Sequence, residues 1–79
     1  MEDINIIKVI RNKQIGKWQI KNERTGKIEE IANTQKEAIE IAREIAKKMG
    51  DELGHAKMCV YRKDKINEIR HIDNYPNNK

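Results

Sequence analysis

The sequence predicts an α+β fold, a two-layer sandwich in which one amphipathic helix packs on one face of an antiparallel sheet, in the order strand-strand-strand-helix-strand-strand. Three observations predict it. Residues 34–49 carry apolar side chains at helical spacing. The segments on either side are short runs of Ile and Val, or alternate apolar with polar residues at the period of a strand. The turns within the first three segments and within the last two span only a few residues, which makes neighbouring strands antiparallel. No linker or internal repeat divides the 79 residues, so they read as one small domain whose polar tail begins at about residue 74.

Residues 4–11 form the first strand. Its apolar residues fall on both faces, Ile4, Ile6 and Ile10 against Ile7 and Val9, as expected of a strand that is central or covered by another chain. Asn12 to Gly16 is a turn, and Lys17-Trp18-Gln19-Ile20-Lys21 then alternates strictly. Trp18 and Ile20 share a face and are expected beneath the helix, while Lys17, Gln19 and Lys21 show on the other. Asn22 to Gly26 is a second turn. Residues 27–32 are a weaker third strand, in which the odd spacing of Ile28 and Ile31 predicts a bulge.

The helix opens with a capping box, the Thr34 hydroxyl being placed to accept from the Glu37 amide. Ala38, Ile39, Ile41, Ala42, Ile45, Ala46 and Met49 fall in one arc, and charged residues fill the opposite arc as an expected solvated face. Gly50 is expected to close the helix, with Lys47 and Lys48 beside its carbonyl end. Asp51 to Gly54 reads as a connection. In residues 56–62, a fourth strand, Ala56, Met58 and Val60 alternate with Lys57, Cys59 and Tyr61. Lys63 to Lys65 turns the chain, residues 66–73 form a fifth strand with Ile66, Ile69 and Ile72, and residues 74–79 are the polar tail.

Composition limits what such a domain can do. A chain this short buries only about 60–65% of its unfolded surface, so its stability is expected to be modest. Its single cysteine, Cys59, allows no internal disulfide and points to a reducing, cytoplasmic setting. No signal-like N-terminus and no run of the roughly 20 apolar residues a membrane span needs is present in the sequence. The net charge is +4, and it is concentrated: from Lys8 to Lys27, seven basic side chains face the single acid Glu23. Such a patch suits nucleic acid or an acidic protein.

No residue pattern supplies catalytic chemistry. His55, Cys59, His71 and Asp73 are the candidate metal ligands, but they lack the two close pairs of a structural zinc site. A Cys59/His71 nucleophile pair on facing strands has no third group to orient it. Gly16, Gly26, Gly50 and Gly54 are isolated and form no phosphate-cradling loop. Trp18 could stack on a base, although its alternation with Ile20 marks it as a core anchor. Catalytic, cofactor and metal residues are therefore expected to be none, no small-molecule substrate is evident, and the chain is not expected to be an enzyme. The outward residues of the basic hairpin, Lys17, Gln19, Lys21, Arg24 and Lys27, are the candidate contacts to nucleic acid or another partner.

Gly16-Lys17-Trp18, the helix sequence Thr-Gln-Lys-Glu-Ala-Ile-Glu-Ile-Ala-Arg-Glu-Ile-Ala, the hairpin around Lys63-Asp64-Lys65 and the closing Asp73-Asn74-Tyr75-Pro76 resemble the short bacterial proteins grouped as domain of unknown function 2188. That resemblance covers nearly the whole chain and implies a fold but no activity. Over about the first 50 residues, the Gly-Lys-Trp strand, the Thr25-Gly26-Lys27 strand and the helix opening Thr34-Gln-Lys-Glu-Ala are also similar to the arm-DNA-binding domain of phage-type integrases. This implies that a three-stranded sheet reads DNA, although Glu29 and Glu30 depart from a DNA-facing pattern.

Two functions are therefore expected. The first is a small non-enzymatic binding module that contacts nucleic acid or a nucleic-acid-handling protein through its basic hairpin. The alternative is a protein-interaction module that uses the uncovered sheet face or the edge of the first strand, pairing with a second copy as a homodimer or inhibiting a host protein, as a phage-borne inhibitor of a bacterial defence nuclease would.

Overall fold

A computed structural model describes residues 4–65 and 67–75. Five strands, β1 (Ile6–Asn12), β2 (Lys17–Asn22), β3 (Lys27–Ala32), β4 (Ala56–Tyr61) and β5 (Ile69–Tyr75), form one sheet, and the helix α1 (Gln35–Leu53) lies on one side of it. The α+β two-layer architecture and the element order are those the sequence predicts.

The sheet order is β3-β2-β1-β4-β5, and the sheet is mixed rather than wholly antiparallel. The β1/β2, β2/β3 and β4/β5 pairs are antiparallel, whereas β1 and β4 run parallel, Ile7 beside Met58 and Val9 beside Val60. The reason is the parity of direction changes. Three strands joined by tight turns bring the chain to one edge, the helix carries it back, and the next strand must then run the same way as the first. β1 is the central strand with both edges hydrogen-bonded; its Ile7 and Val9 are buried beneath the helix, and Ile6 and Ile10 are half-buried on the other face. It therefore offers no edge to a partner; the free edges belong to β3 and β5.

The β1/β2 and β2/β3 turns are built alike. Gly16 donates its amide to the Asn12 carbonyl at 2.9 Å and Gly26 donates to that of Asn22 at 2.7 Å. In each turn the asparagine Oδ1 accepts the amide two residues on, from Gln14 and from Arg24, both at 2.9 Å. The two turns fix the register of the meander. They set Ile7, Val9, Trp18 and Ile20 beneath the helix, all buried, together with Ala56, Met58 and Val60 of β4.

Thr34 caps the helix as predicted, its Oγ1 accepting the Glu37 amide at 3.1 Å. The buried row of the helix is Ala38, Ala42, Ala46, Met49 and Gly50, flanked by the partly buried Ile39, Ile41 and Ile45. Small residues thus take the line closest to the sheet, and the isoleucines fill in on either side.

Two boundaries differ from the sequence reading. The helix does not stop at Gly50 but runs to Leu53, and Gly54 closes it in the left-handed region at φ 94°, its amide donating to the Gly50 carbonyl at 2.9 Å. Lys47 and Lys48 therefore lie before the last turn, which carries Asp51 and Glu52 instead. At the other end, Asn74 and Tyr75 are not tail but the end of β5, and Tyr75 is buried against Gly50. Similarly, Ile4 is exposed and precedes β1. Ile66 and the tail from residue 76 lie outside the described residues.

Candidate functional site

The helix covers one face of the sheet, and strand alternation assigns the residues of the other. On β2 these are Lys17, Gln19 and Lys21; register places Lys8 and Ile10 of β1 opposite Lys21 and Gln19. Lys57 of β4 lies beside Ile6, and Cys59 beside Lys8.

The two edge strands contribute isoleucines by the same device. Ile28 and Ile31 are three residues apart, as are Ile69 and Ile72, a spacing that in a regular strand puts the members of a pair on opposite faces. Each edge strand carries one bulge. Ile20 pairs with Glu30 and Lys21 with Ile28, so Glu29 is the extra residue of β3. Val60 pairs with His71 and Tyr61 with Ile69, so Arg70 is the extra residue of β5. Each bulge rephases its strand, and both members of each pair then stand on the uncovered face. The bulge residues turn away from it: Asn22 Nδ2 donates to Glu29 Oε2 at 3.0 Å, and Arg70 Nη1 donates to Gln35 Oε1 at 2.5 Å. Ile28, Ile31, Ile69 and Ile72 are 42–48% exposed.

Between these margins, lysines stand around the half-buried Ile6 and Ile10 of β1. Lys8 and Lys21 share one carboxylate oxygen, Glu23 Oε2, at 3.3 and 3.7 Å. Among the described residues that oxygen accepts no well-aligned hydrogen bond, and the two ammonium groups stand beside it. The Lys8 ammonium also stands 5.7 Å from the Tyr61 ring centre. Burial by itself lowers the pKa of Lys8, but Tyr61 and Glu23 together outweigh it, and the group is held above the ordinary lysine value.

The five residues singled out from the sequence do not converge. Lys17, Gln19 and Lys21 share the uncovered face, where Lys17 Nζ donates to Asn33 Oδ1 at 2.7 Å. Arg24 instead reaches back to the start of the fold, its Nη1 donating to Oδ1 of the buried Asn5 at 3.2 Å. Lys27 pairs with Asn22, a residue of the helix side. Conversely, Lys8, Lys57 and the four edge isoleucines belong to the face but were not singled out. The signal for Lys8 is the β1/β2 turn, which sets it opposite Lys21; the bulge predicted from the spacing of Ile28 and Ile31 is present in β3, whereas the matching bulge of β5 is not predicted and hides Ile69 and Ile72.

Register also separates the candidate nucleophile pair. Cys59 lies opposite Ile72 on the uncovered face, and His71 lies opposite Val60 on the helix side, its Nε2 2.9 Å from Asp73 Oδ1. Cys59 is buried, as expected of a packed thiol. No group of three or more His, Cys, Asp or Glu that could hold a metal occurs among the described residues. A groove of about 670 Å³ beside β5 is lined by Arg43 and Lys47 but equally by Asp51 and Asp73, so its charges select no ligand. No helix among the described residues is long and apolar enough to cross a membrane.

A model of one protein family, described as "Uncharacterized protein conserved in bacteria (DUF2188)", matches residues 7–75. No match to a curated protein or to a solved structure is found, so the similarity to integrase arm domains gains no support.

Proposed function

The chain belongs to the DUF2188 family of uncharacterised bacterial proteins, and from that premise we propose its function on the surface it presents: a non-enzymatic binding module whose working surface is the uncovered face of the sheet. The observation that carries this reading is the pair of bulges. A sheet face left to water is served by polar side chains at every outward position. Here Glu29 and Arg70 are spent on rephasing the edge strands so that four isoleucines are exposed on one surface.

The experiment is site-directed photocrosslinking in bacterial cells. A photoreactive residue at position 31 or 72 is expected to give discrete adducts, and one at Lys36 or Glu44, on the exposed side of the helix, none. Adducts from the helix positions alone would refute the reading.

A second reading, contact with nucleic acid, is favoured by Lys8, Lys17, Lys21 and Lys57 sharing that face. It requires binding of labelled duplex or single strand that weakens steeply between about 50 and 200 mM salt; no binding at the lower salt would sink it.

A further inference from the structure

Resting on the reading that the uncovered sheet face is the working surface, we infer that its partner is a folded protein surface, apolar at its margins and acidic at its centre. Three observations favour this occupant over the others. The first is charge. Lys8, Lys17, Lys21 and Lys57 stand on the face, and the acid set against them is Glu23, whose single oxygen already serves two ammonium groups. Two copies stacked face to face would bring lysines against lysines, and like charges brought together under cover repel one another strongly. A carboxylate-bearing surface meets the same centre favourably.

The second is the chemistry of the margins. Ile28, Ile31, Ile69 and Ile72 offer branched aliphatic groups, and Tyr61 is the face's one aromatic ring among the described residues. Single-stranded nucleic acid is gripped by several aromatic rings on which bases stack, and duplex phosphates gain nothing from aliphatic contact. Aliphatic side chains of a protein fit these margins, and their burial contributes most of the affinity.

The third is extent. The two isoleucine pairs sit on opposite edge strands of a five-stranded sheet, which at about 4.8 Å per strand sets them roughly 19 Å apart. A single extended peptide laid along one strand covers one pair. A folded surface covers both and sets its acids over Lys8 and Lys21.

The test is a selection with the full chain as target, using a phage-displayed library of a small helical scaffold with a randomised surface. Selected binders are expected to be enriched in Asp and Glu together with Ile, Leu and Val. Their affinity should fall about tenfold or more on Lys21→Glu or on Ile31→Asp/Ile72→Asp, with Lys21→Arg retaining most of it. Binders lost on Ile31→Asp/Ile72→Asp but not acidic, and indifferent to Lys21→Glu, would overturn the acidic partner while the face stands. Binders indifferent to the isoleucine substitutions would overturn the face itself. Two measurements address the other occupants. Sedimentation equilibrium is expected to give a monomer, and a dimer broken by Ile31→Asp/Ile72→Asp would overturn the inference for a second copy. Tight binding of a labelled duplex or single strand that is lost on Lys21→Glu but kept with Ile31→Asp/Ile72→Asp would overturn it for nucleic acid.

Discussion

Gly50 in the last turns of the helix and Tyr75 at the end of β5 touch so closely that a β-carbon on the glycine would stand 3.1 Å from the Tyr75 carbonyl carbon, its oxygen and its Cβ. Replacing an interior helical glycine by alanine ordinarily stabilises by about 1 kcal/mol. Here the added methyl meets the backbone of a paired strand, which yields less readily than a side chain. Gly50→Ala is therefore expected to lower the unfolding free energy by about 1 kcal/mol, and Gly50→Val by more. Urea denaturation decides; a stabilised Gly50→Ala protein would show that Tyr75 moves aside.

The last turn of the helix holds Asp51 and Glu52, which oppose the negative end of the helix dipole. Asp51→Asn combined with Glu52→Gln is expected to raise stability by several tenths of a kcal/mol, about 0.5. The gain should shrink as salt is added. A loss of stability would mean that both carboxylates serve ion pairs with the preceding turn.

Arg24 and Lys27 looked alike in the sequence but should behave differently. Removing Arg24 takes away the charged hydrogen bond it donates to Asn5 Oδ1, so Arg24→Ala is expected to cost about 1 kcal/mol. Lys27→Ala should lie within about 0.5 kcal/mol of the wild type. Equal effects in thermal and urea unfolding would contradict the structural role given to Arg24.

Stability is expected to decline in alkali. Lys8 and Tyr75 both have raised pKa values: Lys8 because Tyr61 and Glu23 outweigh burial, Tyr75 because burial, aided by Asp73, outweighs the nearby Arg43. A group whose folded pKa is raised binds its proton more tightly in the folded state. Its contribution is therefore complete below the unfolded pKa and is lost as pH climbs through the folded value. The urea midpoint should fall above about pH 10. Tyr75→Phe should make that fall shallower, and an unchanged slope would remove Tyr75 from the account.

Ile31→Lys and Ile72→Lys should leave unfolding free energies within about 0.5 kcal/mol of the wild type, because both side chains are close to half exposed. The same substitutions should reduce binding of an apolar fluorescent dye. Full dye binding by the double variant would place the apolar patch elsewhere.

Much of the fold was legible because it is written locally. The Thr34 cap, the alanine and isoleucine arc, the Asn-to-Gly turns and the alternation of Trp18 with Ile20 each need only neighbouring residues to be understood. What escaped depends on distant partners. Gly50 reads as a helix stop until Tyr75 is seen against it, and Asn74 and Tyr75 read as tail until Lys57 and Ala56 are seen to pair with them. The parallel β1/β4 pair follows from counting direction changes, not from any residue. The site was half legible for the same reason. Alternation gives Lys17, Gln19 and Lys21, and the odd spacing of Ile28 and Ile31 gives the β3 bulge, whereas Arg24 turns to Asn5 and the β5 bulge brings together Ile69 and Ile72, which spacing alone splits between faces.

The central parallel seam also bears on how the chain reaches this structure. The β1-β2-β3 meander closes through tight turns, but β1 can meet β4 only after the whole helix has been laid down; Asn5 and His55, hydrogen-bonded across that seam, are 50 residues apart in the chain. Closing so long a loop costs entropy before any of its contacts forms. The meander and helix are therefore expected to form early and the docking of β4 onto β1 to come late. Truncating Val60 should chiefly speed unfolding, and truncating Ile20 should chiefly slow folding. The reverse assignment in a chevron analysis would place the nucleus at the seam instead.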